Sequence, residues 1–161
     1  TPRAIFYRFE KGLHGQHISV AVVIQKMVQS ETAGIVFSVH PVTQDYNQLI
    51  IEAGLGLGEA VVSGQITPDS YVVEKKELII VDKNISEQTR MLVKGKQGEN
   101  EWQECGAKGN EQVLTEKEIL ALSKLIINIE KHYGFPVDVE WAQEKDEFYI
   151  TQSRPITTLQ K

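Results

Sequence analysis

Near the end of the chain, "GFPVDVEWAQEKDEFYITQSRP" sets two strand-like runs on either side of a charged turn, and each run carries polar groups at alternate positions. Asp138 and Glu140 are two apart in the first run, and Gln152 and Arg154 are two apart in the second. Residues i and i+2 of a strand share a face. Val137, Val139 and Trp141 therefore point one way, with Asp138 and Glu140 pointing the other. In the partner run Phe148, Ile150, Gln152 and Arg154 are predicted to share a face, and the apolar first half of that row suggests that it looks inward. Opposed side chains of a hairpin come within roughly 5 Å of one another. Two readings stand. One is an exposed edge with a solvated Glu140–Arg154 ion pair, worth about 0–1 kcal/mol. The other is a magnesium-nucleotide site. Mg²⁺ takes hard oxygen ligands from one or two carboxylates plus phosphate oxygens. An amide oxygen can complete that set, and a guanidinium can offset charge on a transferring phosphoryl group.

A second stretch with chemical potential is "EAGLGLGEAVVSG", where Gly54, Gly56 and Gly58 alternate. Glycines let a backbone approach a bulky anion closely and adopt positive φ. The spacing fits neither the dinucleotide fingerprint nor the Walker-A loop, since no Gly-Lys-Ser/Thr follows. A tight strand-to-helix turn without a ligand is the competing reading. Glu59, at the expected start of a short helix, fits a carboxylate near the positive end of a helix dipole.

The elements that must hold these residues are legible in outline. "ISVAVVIQKMV" (18–28) is rich in β-branched residues and is predicted to be a buried strand. Further strands are expected at 34–39, 48–54, 70–74, 78–82 and "TRMLVK" (89–94), followed by a polar, mobile loop at 95–111. A long helix is expected over 115–133. Thr115 and Glu118 have capping-box spacing, and Ile119, Leu122, Leu125, Ile126, Ile129 and Tyr133 form one apolar stripe. Gly134 and Pro136 end it. The terminal hairpin spans 137–142 and 147–153. Many antiparallel strands with one long helix predict a single α+β domain over residues 1–161.

Composition narrows the function classes. The 161 residues fit one domain, with enough apolar residues (41%) for a packed core. A net charge of −5 argues against a dedicated nucleic-acid binder. No apolar run is long enough to cross a membrane, and no signal-peptide pattern opens the chain. The single cysteine, Cys105, leaves no intramolecular disulfide, and the cytoplasm is the expected compartment. The start at Thr1 without methionine, and the end just after a strand, suggest a piece of a longer polypeptide.

Six blocks, "VVIQKMV", "TAGIVFSVHPVT", "EAGLGLGEAVVSGQITPDSY", "VLTEKEILAL", "IEKHYGFPVDVEWA" and "FYITQSRPITTL", occur in this order across nearly the whole chain. Together they resemble the nucleotide-binding domain of phosphoenolpyruvate synthase (pyruvate, water dikinase), to which domains of rifampin phosphotransferase and pyruvate, phosphate dikinase are related. The resemblance implies an ATP-grasp-like fold in which two lobes hold ATP, this chain matching the C-terminal lobe. It implies that Gln25, Lys26, Met27 and Val28 read adenine, largely through backbone groups. Thr32, Ala33 and Gly34 match a small-residue turn near the phosphates, and Glu59 an acid close to the nucleotide. Glu140 and Gln152 match the Mg²⁺ ligands, Arg154 the arginine at the transferred phosphate, and Asp138 a neighbouring acid.

The resemblance thus favours the magnesium-nucleotide reading of the hairpin. The implied parent enzyme uses ATP to phosphorylate a histidine and then pyruvate. Its N-terminal lobe, phosphohistidine domain and pyruvate-binding domain have no counterpart here, so this chain alone is expected to be inactive and to bind ATP weakly. An antibiotic phosphotransferase of the rifampin type is the alternative, and a catalytically silent module of the same fold is a third. His14, His17, His40 and His132 lie outside any block resembling the phosphocarrier segment and are expected to be structural or solvated.

Overall fold

The computed structural model describes residues 1–17, 19, 21–96 and 98–159. A short helix, α1 (Pro2–Glu10), opens the chain. Strands β1 (Thr32–Phe37) and β2 (Gln48–Leu55) follow, then the one-turn helix α2 (Glu59–Val62). Next come β3 (Asp69–Glu74), β4 (Ile79–Asn84), β5 (Arg90–Lys94) and β6 (Asn100–Glu104). A 3₁₀ turn (Gly106–Asn110) leads into the long helix α3 (Glu116–Tyr133), and β7 (Val137–Glu144) and β8 (Glu147–Pro155) complete the fold. Six strands form an antiparallel sheet in the order β4-β3-β2-β1-β7-β8, and β5 and β6 form a separate two-stranded ribbon. The chain is α+β, as the run of strands around one long helix predicts.

Helix α3 forms where its sequence says it should. Thr115 accepts from the Glu118 amide, the Glu118 carboxylate accepts from the Thr115 amide at 2.8 Å, and Gly134 closes the far end in the left-handed region at φ +75°. Its apolar stripe covers one face of the sheet. Val36 of β1, Leu49 and Ile51 of β2, Tyr71 and Val73 of β3, and Val137, Val139 and Trp141 of β7 pack with Ile119, Leu122 and Ile126 in one core. Each fully buried aliphatic side chain contributes about 1.5–3 kcal/mol, so this face carries the bulk of the stability.

Two polar networks pin the helix to the sheet. Asp69, fully buried, accepts from the Tyr71 hydroxyl at 2.7 Å and from the Ser86 and Val113 amides at 3.0 and 2.8 Å. Burial, first, and the hydrogen bond to Asp69 push the Tyr71 hydroxyl's pKa upward. At the other end, Lys75 bridges the Ser38 carbonyl and the Glu130 carboxylate, both at 2.8 Å, and the Ser38 hydroxyl donates to Glu130 at 3.0 Å.

Two expectations fail, and one element carries no expectation. The predicted strand at 18–28 is absent among its described residues; residues 18 and 20 lie outside them. Residues 21–30 have no ladder partner, and Val22, Val23 and Ile24 are exposed. β-Branched residues favour a pleated, half-buried surface, and the sheet offers this segment none. The loop expected at 95–111 contains β6 and the 3₁₀ turn; residue 97 is outside the described set. All five residues of β6 are exposed, so no alternation marks it in the sequence. Helix α1 was not foreseen, although the Thr1-Pro2 start is a helix signal: Thr1 is its N-cap and Pro2 its first residue.

Candidate functional site

On the face of the sheet opposite α3, the short helix α2 packs over the Ala33–Gly54 end, and the register shows which side chains share the rest. Ile35 of β1 pairs with Glu52 of β2 on one side and Glu140 of β7 on the other, and Glu140 pairs with Gln152 of β8. One step along, Phe37 pairs with Asp138, and Asp138 pairs with Arg154. The four polar residues therefore form two adjacent cross-strand pairs. Glu140 Oε1 accepts from the Gln152 amide at 3.2 Å, and Asp138 Oδ2 accepts from Arg154 Nε and Nη2, both at 2.8 Å.

This arrangement depends on an irregularity. The β7–β8 register shifts between Glu140 and Trp141: Trp141 opposes Ile150, whereas Glu140 opposes Gln152. Thr151 is the extra residue, a β-bulge. Phe148 and Ile150 pack against the α3-side core, but beyond the bulge Gln152 and Arg154 oppose Glu140 and Asp138 on the other face. The expectation that Phe148, Ile150, Gln152 and Arg154 share one face is thus corrected. Strict alternation assumes an uninterrupted ladder, and a bulge re-aims every side chain after it. The solvated Glu140–Arg154 pair is corrected as well, since Arg154 bonds Asp138.

A cavity of about 260 Å³ opens beside this row. Gln25, Lys26, Met27 and Val28 line one wall, Gly58, Glu59 and Val62 another, and Glu140 sits on the floor with Ala33, Gly34, Ala142 and Thr151. The 25–31 segment is tied to the hairpin: the Gln25 side chain donates to the Thr151 carbonyl at 3.3 Å, and the Gln29 amide donates to Glu144 at 3.1 Å. The bulge residue thus supplies the acceptor that holds Gln25. Asp138, Gln152 and Arg154 stand outside the lining, Gln152 being joined to it through Glu140. Thr32 does not bring its hydroxyl to the cavity; it is buried on the α3 side and donates to Gln143 at 2.8 Å.

Close packing explains two of the three alternating glycines. A Cβ on Gly54 would fall 2.6 Å from Val61 Cγ2, and Gly56 has φ +80°, with the Leu92 carbonyl oxygen 2.3 Å from where a Cβ would stand. Gly58 alone of the three borders the cavity.

Sequence reasoning passed over two residues here. Glu52 is half-buried on the open face with only Ile35 between it and Glu140, and burial raises its carboxyl above the ordinary glutamate value. Its place in a strand that reads as apolar hid it. Asn100 of β6 borders the cavity and donates to Glu59 Oε2 at 2.8 Å. No local pattern signals that contact, which joins residues 41 apart. His40 has a structural role, its Nδ1 accepting from the Val42 and Thr43 amides at 3.3 Å.

The donor set suits a hard cation shared with phosphate. No group of three or more His, Cys, Asp or Glu side chains able to hold a metal occurs among the described residues. Two carboxylates and an amide in neighbouring pairs are instead what a site completed by phosphate oxygens requires. Asp138 Oδ1, buried without a hydrogen-bond partner in the protein, is a further oxygen ready to accept one.

Comparison with known proteins identifies the frame. The profile of the pyruvate phosphate dikinase AMP/ATP-binding domain matches residues 1–161. A probable phosphoenolpyruvate synthase of Methanocaldococcus jannaschii is 52% identical over all of this chain, which covers 14% of that protein. The phosphoenolpyruvate synthase of Pyrococcus furiosus is 42% identical, again over all of this chain and 21% of its own length. The rifampicin phosphotransferase of Bacillus subtilis is 39% identical over 99% of this chain and 18% of its own. This chain therefore spans about a fifth or less of the relatives it matches, and it belongs to the pyruvate phosphate dikinase AMP/ATP-binding domain family.

Proposed function

We propose that this chain is the C-terminal lobe of an ATP-grasp-like nucleotide-binding domain, and that it holds Mg²⁺-ATP in the cavity bounded by residues 25–28, 58–62 and Glu140. One observation carries this reading: an exposed, unladdered segment, a carboxylate at the start of α2 and Glu140, itself bonded to Gln152, meet around a single cleft. Residues 25–28 present backbone groups able to read the edge of an adenine, and Ala33 and Gly34 keep the floor low. Glu140 and Gln152 would hold the cation; when bound with the triphosphate it neutralises phosphate charge. In the structure the Gln152 amide donates to Glu140, and its oxygen is the atom that would meet a cation.

The chain's own residues then position and neutralise, which is most of what phosphoryl transfer asks of a protein. Arg154, with its side chain 59% exposed, presents guanidinium N–H groups toward charge spreading on the transferred group, while Asp138 fixes its orientation. The whole enzyme, in this reading, moves a phosphoryl group from ATP to a histidine on another domain and then to pyruvate. The relatives called phosphoenolpyruvate synthase support that acceptor, and the rifampicin phosphotransferase supports the antibiotic alternative. Exposed Val22, Val23 and Ile24, which precede the lining residue Gln25 in the chain, support a second lobe packing here. The cytoplasm remains the proposed compartment; no helix among the described residues is long and apolar enough to cross a membrane.

The test is ATP titration, with and without Mg²⁺, of the full polypeptide carrying this domain, followed by backbone NMR or hydrogen exchange. Perturbation is expected at 25–28, 58–62 and 138–154, stronger with Mg²⁺. Changes confined to the far edge of the sheet, at β3 and β4, would refute the assignment. Chemical identification of the phosphorylated product, with pyruvate or rifampicin as acceptor, separates the two enzyme readings.

A further inference from the structure

The two-stranded β5–β6 ribbon also contributes to the cavity. Asn100, the first residue of β6, borders it, and its side-chain amide donates to Glu59 Oε2 at 2.8 Å. The partner is a carboxylate, which accepts only, so the amide nitrogen must face it. Glu59 is the first residue of the one-turn helix α2 and is exposed. An exposed glutamate with no neighbour samples several rotamers, and holding it in one costs entropy. Asn100 therefore fixes one carboxylate oxygen of Glu59 at the rim of the cleft.

The β5–β6 ribbon is itself clamped to the chain leading into α2. The Leu57 amide donates to the Leu92 carbonyl at 2.7 Å, and Gly56 and Leu92 form a parallel bridge. The Gln88 side chain, buried, donates to the Ala53 carbonyl at 3.3 Å and accepts from the Leu55 amide at 2.9 Å. At the outer end Arg90 stacks on Trp102, its guanidinium carbon 4.2 Å from the ring centroid. The two Leu92 contacts, with Gln88 anchoring the chain just before β5, thus set where the ribbon and Asn100 stand relative to Glu59. The Asn100–Glu59 bond is too exposed to contribute much to folding, so its consequence is the placement of the carboxylate.

Building on the nucleotide reading of this cleft, we propose that Asn100 is a positioning residue for ATP. By holding Glu59 it makes the β5–β6 ribbon part of the nucleotide site, and it tunes affinity through Glu59 without touching the reacting phosphates.

The experiment is a double-mutant cycle in the full polypeptide, reading ATP binding calorimetrically in Mg²⁺ buffer and KM against kcat in the steady state. Asn100→Ala is expected to weaken ATP binding about fivefold, the size of one ordinary net hydrogen bond, as suits an exposed pair. Its effect should fall on KM, with kcat changed by less than about twofold. In a Glu59→Ala background, Asn100→Ala should add nothing, because its target is gone. Asn100→Asp, which sets a second carboxylate against Glu59, should weaken binding more than Asn100→Ala. Normal ATP binding by Asn100→Ala overturns the proposal, as do losses that multiply in the double variant. A wild-type protein that binds no ATP overturns the nucleotide reading itself, an outcome distinct from a wild type that binds and an Asn100 variant that binds equally well.

Discussion

Glu140 and Gln152 face one another across β7 and β8, 3.2 Å apart, because Thr151 is an extra residue in the ladder. Without the bulge, the row begun by Phe148 and Ile150 would carry Gln152 and Arg154 to the α3 side of the sheet. Bulges occur beside active sites because one inserted residue re-aims the side chains that follow. Here the same residue also accepts a hydrogen bond from Gln25, so the 25–31 segment and the terminal hairpin share a fixed point.

Glu140→Ala in the full polypeptide should abolish Mg²⁺-dependent ATP turnover and leave the fold intact. Glu140 is only partly buried, and its one hydrogen bond is to an exposed amide, so the melting temperature should stay within a few degrees of wild type. Turnover assays paired with circular dichroism melts check both halves. Near-normal turnover would remove Glu140 from the metal site.

Arg154→Ala should lower turnover by about 10²–10³-fold, the usual cost of losing one charge-stabilising group at a transferring centre. Arg154→Lys should recover little of it, because an ammonium lacks the paired N–H donors that Asp138 Oδ2 now accepts. Asp138 is 9% exposed, and stripping its guanidinium leaves a largely buried carboxylate unpaired, so a stability loss of about 1–3 kcal/mol accompanies the kinetic one. The double variant Arg154→Ala/Asp138→Asn should regain that stability without regaining turnover. Denaturant melts and initial rates on the three proteins decide it.

Asp69 is the polar hub under α3, and Asp69→Ala should destabilise the fold by about 2–4 kcal/mol. The substitution orphans two part-buried amides and the buried Tyr71 hydroxyl at once. Tyr71→Phe removes one donor and should cost about 1 kcal/mol. Neither residue reaches the cleft, so ATP affinity should not change for whatever fraction remains folded. Urea unfolding followed by tryptophan fluorescence, with Trp141 in the core as reporter, measures the loss.

Glu118 and Glu52 should give opposite slopes in stability against pH. For Glu118, burial pushes the carboxyl up, but hydrogen bonds from Thr115 and Gln143 outweigh it and the net shift is downward from 4.5. The stability it contributes is therefore complete above 4.5 and is lost as pH falls through the lowered folded value. Glu118→Ala should cost about 1 kcal/mol at neutral pH, as a broken capping box does, and progressively less in acid. For Glu52, burial raises the carboxyl, so the folded state holds its proton longer. Its charge costs stability above the raised value and nothing below 4.5. Glu52→Gln should therefore stabilise the protein at neutral pH and have no effect in acid. Melts of both variants at several pH values test the signs.

Helix α3 was legible almost to the residue because its signals are local: a capping box, a 3.6-residue apolar stripe and a glycine able to adopt positive φ. The strands of the large sheet were legible for a similar reason, each carrying enough apolar residues to show its buried face. The polar row of the terminal hairpin was legible as residue types. Asp138, Glu140, Gln152 and Arg154 stand out as polar groups in strands that should bury their side chains. Segment 21–28 misled because β-branched composition reports what a stretch would pair with, and no strand among the described residues pairs with it.

The strands of the large sheet, the ends of the long helix and the polar residues of the terminal hairpin were thus set by local sequence, since propensity, capping and periodicity act over a few residues. Tertiary structure alone decided that Thr151 bulges, that Arg154 bonds Asp138 and not Glu140, and that Asn100 reaches Glu59 from another ribbon. Those outcomes depend on register between strands and on loop closure across 12 to 41 positions, where many pairings are sterically open and only the packed whole selects one.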